Sequence, residues 1–203
     1  MLLSDIILIL FNCLLFALIH SLLASEKIKS LIKRNFESLF KFYRLFYVIF
    51  SIFILLLIYF YSPDPIIIIY NIDYPYDILI LSIQIIAVIG IWFSFIKLDF
   101  IDFLGIKNIL SPTKDTEPNQ TLIVAGMYKY CRHPIYFFTI IFLFARPFMD
   151  LQLFLFSISA TLYFLIGSFY EEKKLINKFG TDYLNYMSKV PRIIPIKILK
   201  LKH

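Results

Sequence analysis

Long apolar runs alternate with short polar stretches along the chain, and their lengths predict helices rather than strands. Residues 3–23 (LSDIILILFNCLLFALIHSLL), 45–61 (LFYVIFSIFILLLIYFY) and 78–96 (ILILSIQIIAVIGIWFSFI) are each near the length that crosses a hydrocarbon core. "SPDP" stops the second run. Two later runs, 134–148 and 151–170, predict a helical hairpin turned by "RPFMD". Its rising arm is short, about 22 Å at 1.5 Å per residue, and reaches the far interface only with help from the turn. The run IIIIY at 66–70 is too short to span and predicts an interfacial piece. Phe179, Tyr183 and Tyr186 fall near one face of a short amphipathic helix, which predicts packing at the interface. The expected fold class is all-α. It is a polytopic membrane protein with about five transmembrane helices, the last two a hairpin, plus a short cytoplasmic C-terminal amphipathic helix.

Composition agrees with this pattern. Hydrophobic residues make up 60% of the 203, and mean hydropathy is +0.80, well above a soluble domain. The length fits one domain over 1–203, without repeats or low-complexity linkers. The first run carries Asp5 and no basic leader, so a retained span is expected rather than a cleaved signal. Cys13 lies in an apolar run and Cys131 in a polar loop, so no disulfide is expected.

The net charge of +6 has a topological explanation. Segments 24–44, 97–133 and 171–203 hold 6, 5 and 8 Lys/Arg, which is 19 of the 20. The opposite loops hold only Arg146, against Asp5, Asp64, Asp73, Asp77 and Asp150. The positive-inside rule then predicts an outside N-terminus and a cytoplasmic C-terminus, in a bacterial inner membrane. The charge needs no nucleic-acid partner. Arg146 fits a cation that snorkels to the far interface beside Pro147.

Chemistry concentrates at one end of the hairpin. Arg132 and His133 precede Pro134, which suits the first helical turn because its missing N–H costs nothing there. The free N–H groups and dipole of that turn attract an anion, and Arg132 adds a forked donor. Tyr136 follows His133 by three residues, on nearly the same face. The returning helix brings Glu171 and Glu172 to the same level. Such residues serve either as interfacial anchors or as a site for a ligand bearing both signs of charge, and S-adenosylmethionine is such a ligand. The five glycines are scattered and G-x-G-x-x-G is absent, which excludes a Rossmann-type methyltransferase. Metal-ligand spacing is absent, so no metal is expected.

The motif GMYKYCRHPIY, followed by EEKKLINKFGTDYLNYMSKVPRIIP, resembles the C-terminal signature of the integral-membrane methyltransferases. These include isoprenylcysteine carboxyl methyltransferase and the phospholipid N-methyltransferases. The pattern G-x-Y-x-x-x-R-H-P-x-Y … E-E-x-x-L-x-x-x-F-G-x-x-Y-x-x-Y-x-x-x-V-P-x-x-I-P is met at every named position over 126–195. HSLLAS (20–25), YRLFY (43–47) and DFLGIK (102–107) are similar to the methanethiol S-methyltransferase and NnrU-like branch.

The resemblance implies S-adenosylmethionine as cofactor, bound by Gln120, Thr121, Leu122, Ile123, Tyr128, His133, Pro134, Ile135, Tyr136 and Glu171. Related enzymes often carry His where Gln120 stands. The resemblance also implies catalytic roles for Glu171 and Arg132, with Glu171 turned inward and Glu172 less so. His20 and Glu172 fall on the acceptor side. The implied acceptor is a small or lipophilic thiol in the bilayer, with no obligate protein partner. Isoprenylcysteine carboxyl or phospholipid N-methylation, or a non-catalytic NnrU-like role, stay open. The arginine that holds a prenylcysteine carboxylate in relatives stands four residues before the Glu pair, where this chain has Gly167.

Overall fold

The computed structural model describes residues 2–96, 98, 100–110 and 121–196. It is helical almost throughout and divides into two compact units.

The first unit holds α1 (Leu2–Ala24), α2 (Glu26–Asn35), a 3-10 segment (Glu37–Phe42), α3 (Tyr43–Tyr61) and two short helices, α5 (Phe100–Phe103) and α6 (Ile106–Leu110). It also holds the first residues of α8 (Leu151–Phe179). α1 packs on α3. A polar group within hydrocarbon is costly unless paired, and here the polar groups find partners. His20 Nδ1 lies 2.9 Å from Ser51 Oγ and its Nε2 lies 2.5 Å from Tyr47 Oη. The Ser51 hydroxyl donates to the Tyr47 carbonyl at 2.7 Å. At the end of α3, the Gln152 amide donates to the Tyr59 and Ser62 carbonyls, both at 3.2 Å.

The second unit holds α4 (Tyr76–Phe95), α7 (Pro134–Phe144), the remainder of α8, and α9 (Thr181–Lys189). α4 and α7 pack closely, and Gly90 permits it. A Cβ there would lie 2.5 Å from the Phe138 ring. The carbonyls at the end of α7 have no helical partners. Gln84, a polar residue within α4, donates to Phe142 O at 3.1 Å, and the Tyr70 hydroxyl donates to Phe144 O at 2.8 Å. Gly180, at φ 55, separates α8 from α9 in a conformation that favours glycine.

Four helices have the length and apolarity to cross a membrane: α1, the continuous stretch Glu37–Tyr61, α4 and α8. An all-α polytopic membrane fold follows, with three differences from the sequence expectation. The rising arm of the hairpin is 11 residues as helix rather than fifteen. At about 16 Å it is roughly half the hydrocarbon thickness. The cause is Pro147, which disfavours helical backbone at Arg146 and removes an amide donor. The run at 66–70 lies partly in a strand, β1 (Ile68–Asn71), which forms a two-stranded sheet with β2 (Phe148–Asp150). A run of isoleucines favours this, since branched side chains prefer extended backbone. Finally, α8 continues nine residues past the apolar run, because EEKKLINKF contains no helix breaker before Gly180.

Candidate functional site

The site lies in the second unit, where the start of α7 meets the polar end of α8. The loop before α7 is paired by its backbone to the segment after α9. The Arg132 N–H donates to Pro191 O and the His133 N–H to Arg192 O, both at 2.9 Å. Pro134, buried, takes the first helical position as its fixed φ predicts.

Glu172 is the buried centre, only 2% exposed. Its Oε1 accepts from Arg132 Nε at 2.7 Å and lies 3.3 Å from His133 Nε2. Its Oε2 accepts from Arg192 Nη2 at 2.8 Å and Nε at 3.1 Å. Arg132, whose side chain is 8% exposed, donates from Nη1 to the Met187 and Val190 carbonyls, at 2.9 and 2.6 Å. It therefore caps the end of α9. The Arg192 guanidinium lies 3.6 Å from the centre of the Phe169 ring. This arrangement is a lock: one carboxylate ties α7, α8 and the C-terminal segment together through two guanidiniums and an imidazole.

Glu171 is different, with a side chain 48% exposed. Its Oε2 accepts from the Tyr136 hydroxyl at 2.9 Å and lies 3.4 Å from His133 Nδ1. The rings of His133 and Tyr136 stack at 5.2 Å, and Tyr136 stacks on Phe164 at 4.9 Å. An aromatic ladder thus leads from the charged cluster along α7 and α8. Beside the same loop, a cavity of ≈ 200 Å³ is lined by Met127, Tyr130, Cys131, Pro134, Phe137, Phe138 and Pro195.

The electrostatics follow from this geometry. Burial alone lowers the His133 pKa, but hydrogen bonds to Glu171 and Glu172 outweigh it, and the net shift is upward. The imidazolium, with two donors, is the form that faces two carboxylates. Burial pushes the Cys131 thiol up to about 11, which disfavours the reactive thiolate. Burial, then the Glu172 charge, pushes the Tyr183 phenol up to about 12. Tyr186, also buried, donates its hydroxyl to the Tyr128 carbonyl at 2.6 Å.

Several expectations need correction. Glu172, not Glu171, is the inward member of the acidic pair, and both its oxygens are engaged, so it is not an open acceptor-side group. Arg132 faces Glu172 and α9, with its Nε and Nη1 donors engaged there. The amides of Arg132 and His133, just ahead of that turn, are taken by Pro191 O and Arg192 O. His133, Tyr136 and Glu171 do come together, with Tyr128 near Glu171. Pro134 and Ile135 begin α7. Thr121, Leu122 and Ile123 form an irregular run ahead of Gly126 and lie outside the lock, with Thr121 exposed. Gln120 lies outside the described residues. His20 belongs to the first unit and the Tyr47–Ser51 network. Arg192 escaped the sequence reading, because the motif leaves its position open and only the fold brings it to Glu172. Among the described residues no group of three metal-ligating side chains occurs.

A helical membrane protein with this basic loop, acidic pair and C-terminal latch fits the integral-membrane methyltransferases. Several curated relatives narrow the class: the chain is similar to proteins named methanethiol S-methyltransferase. It is 27% identical over 187 residues to methanethiol S-methyltransferase 1 of Bradyrhizobium diazoefficiens, covering 89% of this chain and 64% of that one. It is 29% identical over 188 residues to the Crocosphaera subtropica enzyme, covering 89% and 71%. With the Pseudomonas deceptionensis enzyme the match is 32% over 95 residues, covering 46% and 36%. This chain therefore spans less than two thirds of some relatives it matches. No family model and no solved structure matches the chain.

Proposed function

We propose that the chain is an S-adenosylmethionine-dependent membrane methyltransferase acting on a small or lipophilic thiol. The observation that carries this reading is the contrast between the two adjacent glutamates. Glu172 is consumed by the lock, whereas Glu171 is held by Tyr136 and His133 with half its surface open. The lock holds the Glu171 backbone still, so the open carboxylate is preorganised for a cationic ligand.

The residues present suit that cofactor. Glu171 offers lone pairs to an ammonium, and its half-open carboxylate lets a cationic group approach. When bound, the cofactor supplies an electrophilic methyl group on a cationic sulfur. The chain's own residues have simpler tasks. Glu171 fixes the cation, Tyr136 and His133 fix Glu171, and the apolar flanks of α7 exclude water. A thiol must become a thiolate to react.

Gly167 favours a thiol over a prenylcysteine carboxylate. It supplies no guanidinium, and nothing lies within 4 Å of a Cβ built there. The charge asymmetry supports an outside N-terminus and a cytoplasmic site, with residues 145–149 completing the crossing that α7 begins.

The test uses purified protein with methyl-labelled S-adenosylmethionine. Methanethiol, longer alkyl thiols, prenylcysteine and phosphatidylethanolamine compete as acceptors. Label is expected in thioethers. Label only in the lipid or the prenyl ester would sink the thiol reading, and no labelled product from any of the four would favour a non-catalytic role.

A further inference from the structure

Eighteen residues separate α1 from α3, and both neighbours are membrane spans. This connector, 25–42, is therefore held at one membrane surface. Most of it is ordered as helix. Ser25 makes the turn out of α1: its hydroxyl donates to Leu22 O at 2.6 Å and accepts from the Ile28 N–H at 3.4 Å. α2 then runs ten residues, about 15 Å, too short to cross.

Its sequence, EKIKSLIKRN, sorts cleanly at 100° per residue. Ile28, Leu31 and Ile32 occupy one arc of about 100°, and Lys27, Lys29, Lys33 and Arg34 lie on the rest. The apolar arc is only partly covered by protein, since Leu31 is exposed. Beyond α2, Phe36, Leu39 and Phe42 are exposed as well, and the Lys41 ammonium lies over the Phe42 ring. Glu26 and Glu37 oppose six Lys/Arg between 25 and 44, a net of +4 from 6 − 2.

We infer that α2 forms an in-plane platform that selects anionic phospholipid headgroups. The flanking spans fix the depth, which places the apolar arc toward the acyl chains and the cations at the phosphate level. This is the geometry of an interfacial amphipathic helix. A basic segment at that level attracts acidic lipid over zwitterionic lipid, with a strength that falls with salt. Nothing in the methyltransferase reading requires this preference, and the inference stands independently of it.

The experiment uses the full chain reconstituted in a 1:1 mixture of phosphatidylglycerol and phosphatidylcholine, then extracted gently and weighed with its bound lipid by native mass spectrometry. Wild type is expected to retain phosphatidylglycerol in excess. The variant Lys27→Gln/Lys29→Gln/Lys33→Gln/Arg34→Gln is expected to lose that excess by about fivefold or more, the effect of at least one interfacial charge. Circular dichroism checks that it stays helical. Lys173→Gln/Lys174→Gln/Lys178→Gln, which removes exposed charges at the end of α8, is expected to lose much less per charge. A salt series on wild type gives a second test without substitution, and the excess is expected to fall as salt rises. Equal loss in both variants, no loss in the α2 variant, or an excess indifferent to salt overturns the inference.

Discussion

Replacing Glu172 by glutamine tests the lock, because it keeps shape and removes charge. The carboxylate receives hydrogen bonds from two guanidiniums at 2.7–3.1 Å and lies 3.3 Å from an imidazole nitrogen. The glutamine amide places a donor where an acceptor stood, facing a guanidinium. Removing one partner of a buried ion pair costs about 3–5 kcal/mol, because the other charge stays buried. Arg132 is nearly inaccessible, but Arg192 is 29% exposed and can regain water. The lower end, about 3 kcal/mol, is therefore expected. For a chain of this size that is about 6–12 °C in Tm. Glu171→Gln is the control. Its carboxylate is half open, and exposed pairs contribute about 1 kcal/mol or less, so its Tm is expected to stay within about 3 °C of wild type. Thermal unfolding of the detergent-purified proteins, followed by circular dichroism, measures both. Equal stability of Glu172→Gln and wild type, or a larger loss from Glu171→Gln, would refute the assignment of the lock.

Two glycines and one histidine give three further predictions. Gly90→Ala drives a methyl into the Phe138 ring and is expected to cost about 1–3 kcal/mol by thermal unfolding. Gly167→Ala meets nothing within 4 Å and is expected to raise stability by about 1 kcal/mol or less; a loss would mean that the space is filled in the folded protein. The folded-state pKa of His133 is raised, so its stabilisation is complete below the unfolded value of about 6.5 and is lost as pH rises through the raised value. Tm is expected to fall across that window in wild type and to fall less in His133→Gln, and parallel profiles would remove His133 as the titrating group.

Much of the fold is legible in the sequence, because long apolar runs allow one solution in a bilayer. α1, α3 and α4 begin and end within two residues of the expected spans. The ends of the hairpin are less legible. Hydropathy marks where hydrocarbon stops, not where a helix stops, so the charged continuation of α8 was hidden. Conversely, Pro147 shortens α7 inside an apolar run. The site divides in the same way. Residue types and spacing bring His133, Tyr136 and the glutamates to one level, since a hairpin forces that. Which glutamate turns inward depends on where α9 and its following segment pack, and one residue changes the direction by 100°. Arg192 shows the same limit: its role arises from a contact across 20 residues that no local pattern encodes.

In the proposed function Glu171 is the open carboxylate that serves the cofactor, while Glu172 holds the frame. Calorimetric titration of S-adenosylmethionine into wild type and Glu171→Gln tests it most directly. A lost charge-assisted contact is worth about 1.5–3 kcal/mol, so Glu171→Gln is expected to bind roughly 10- to 150-fold more weakly at unchanged Tm. Wild-type affinity in Glu171→Gln would contradict the account.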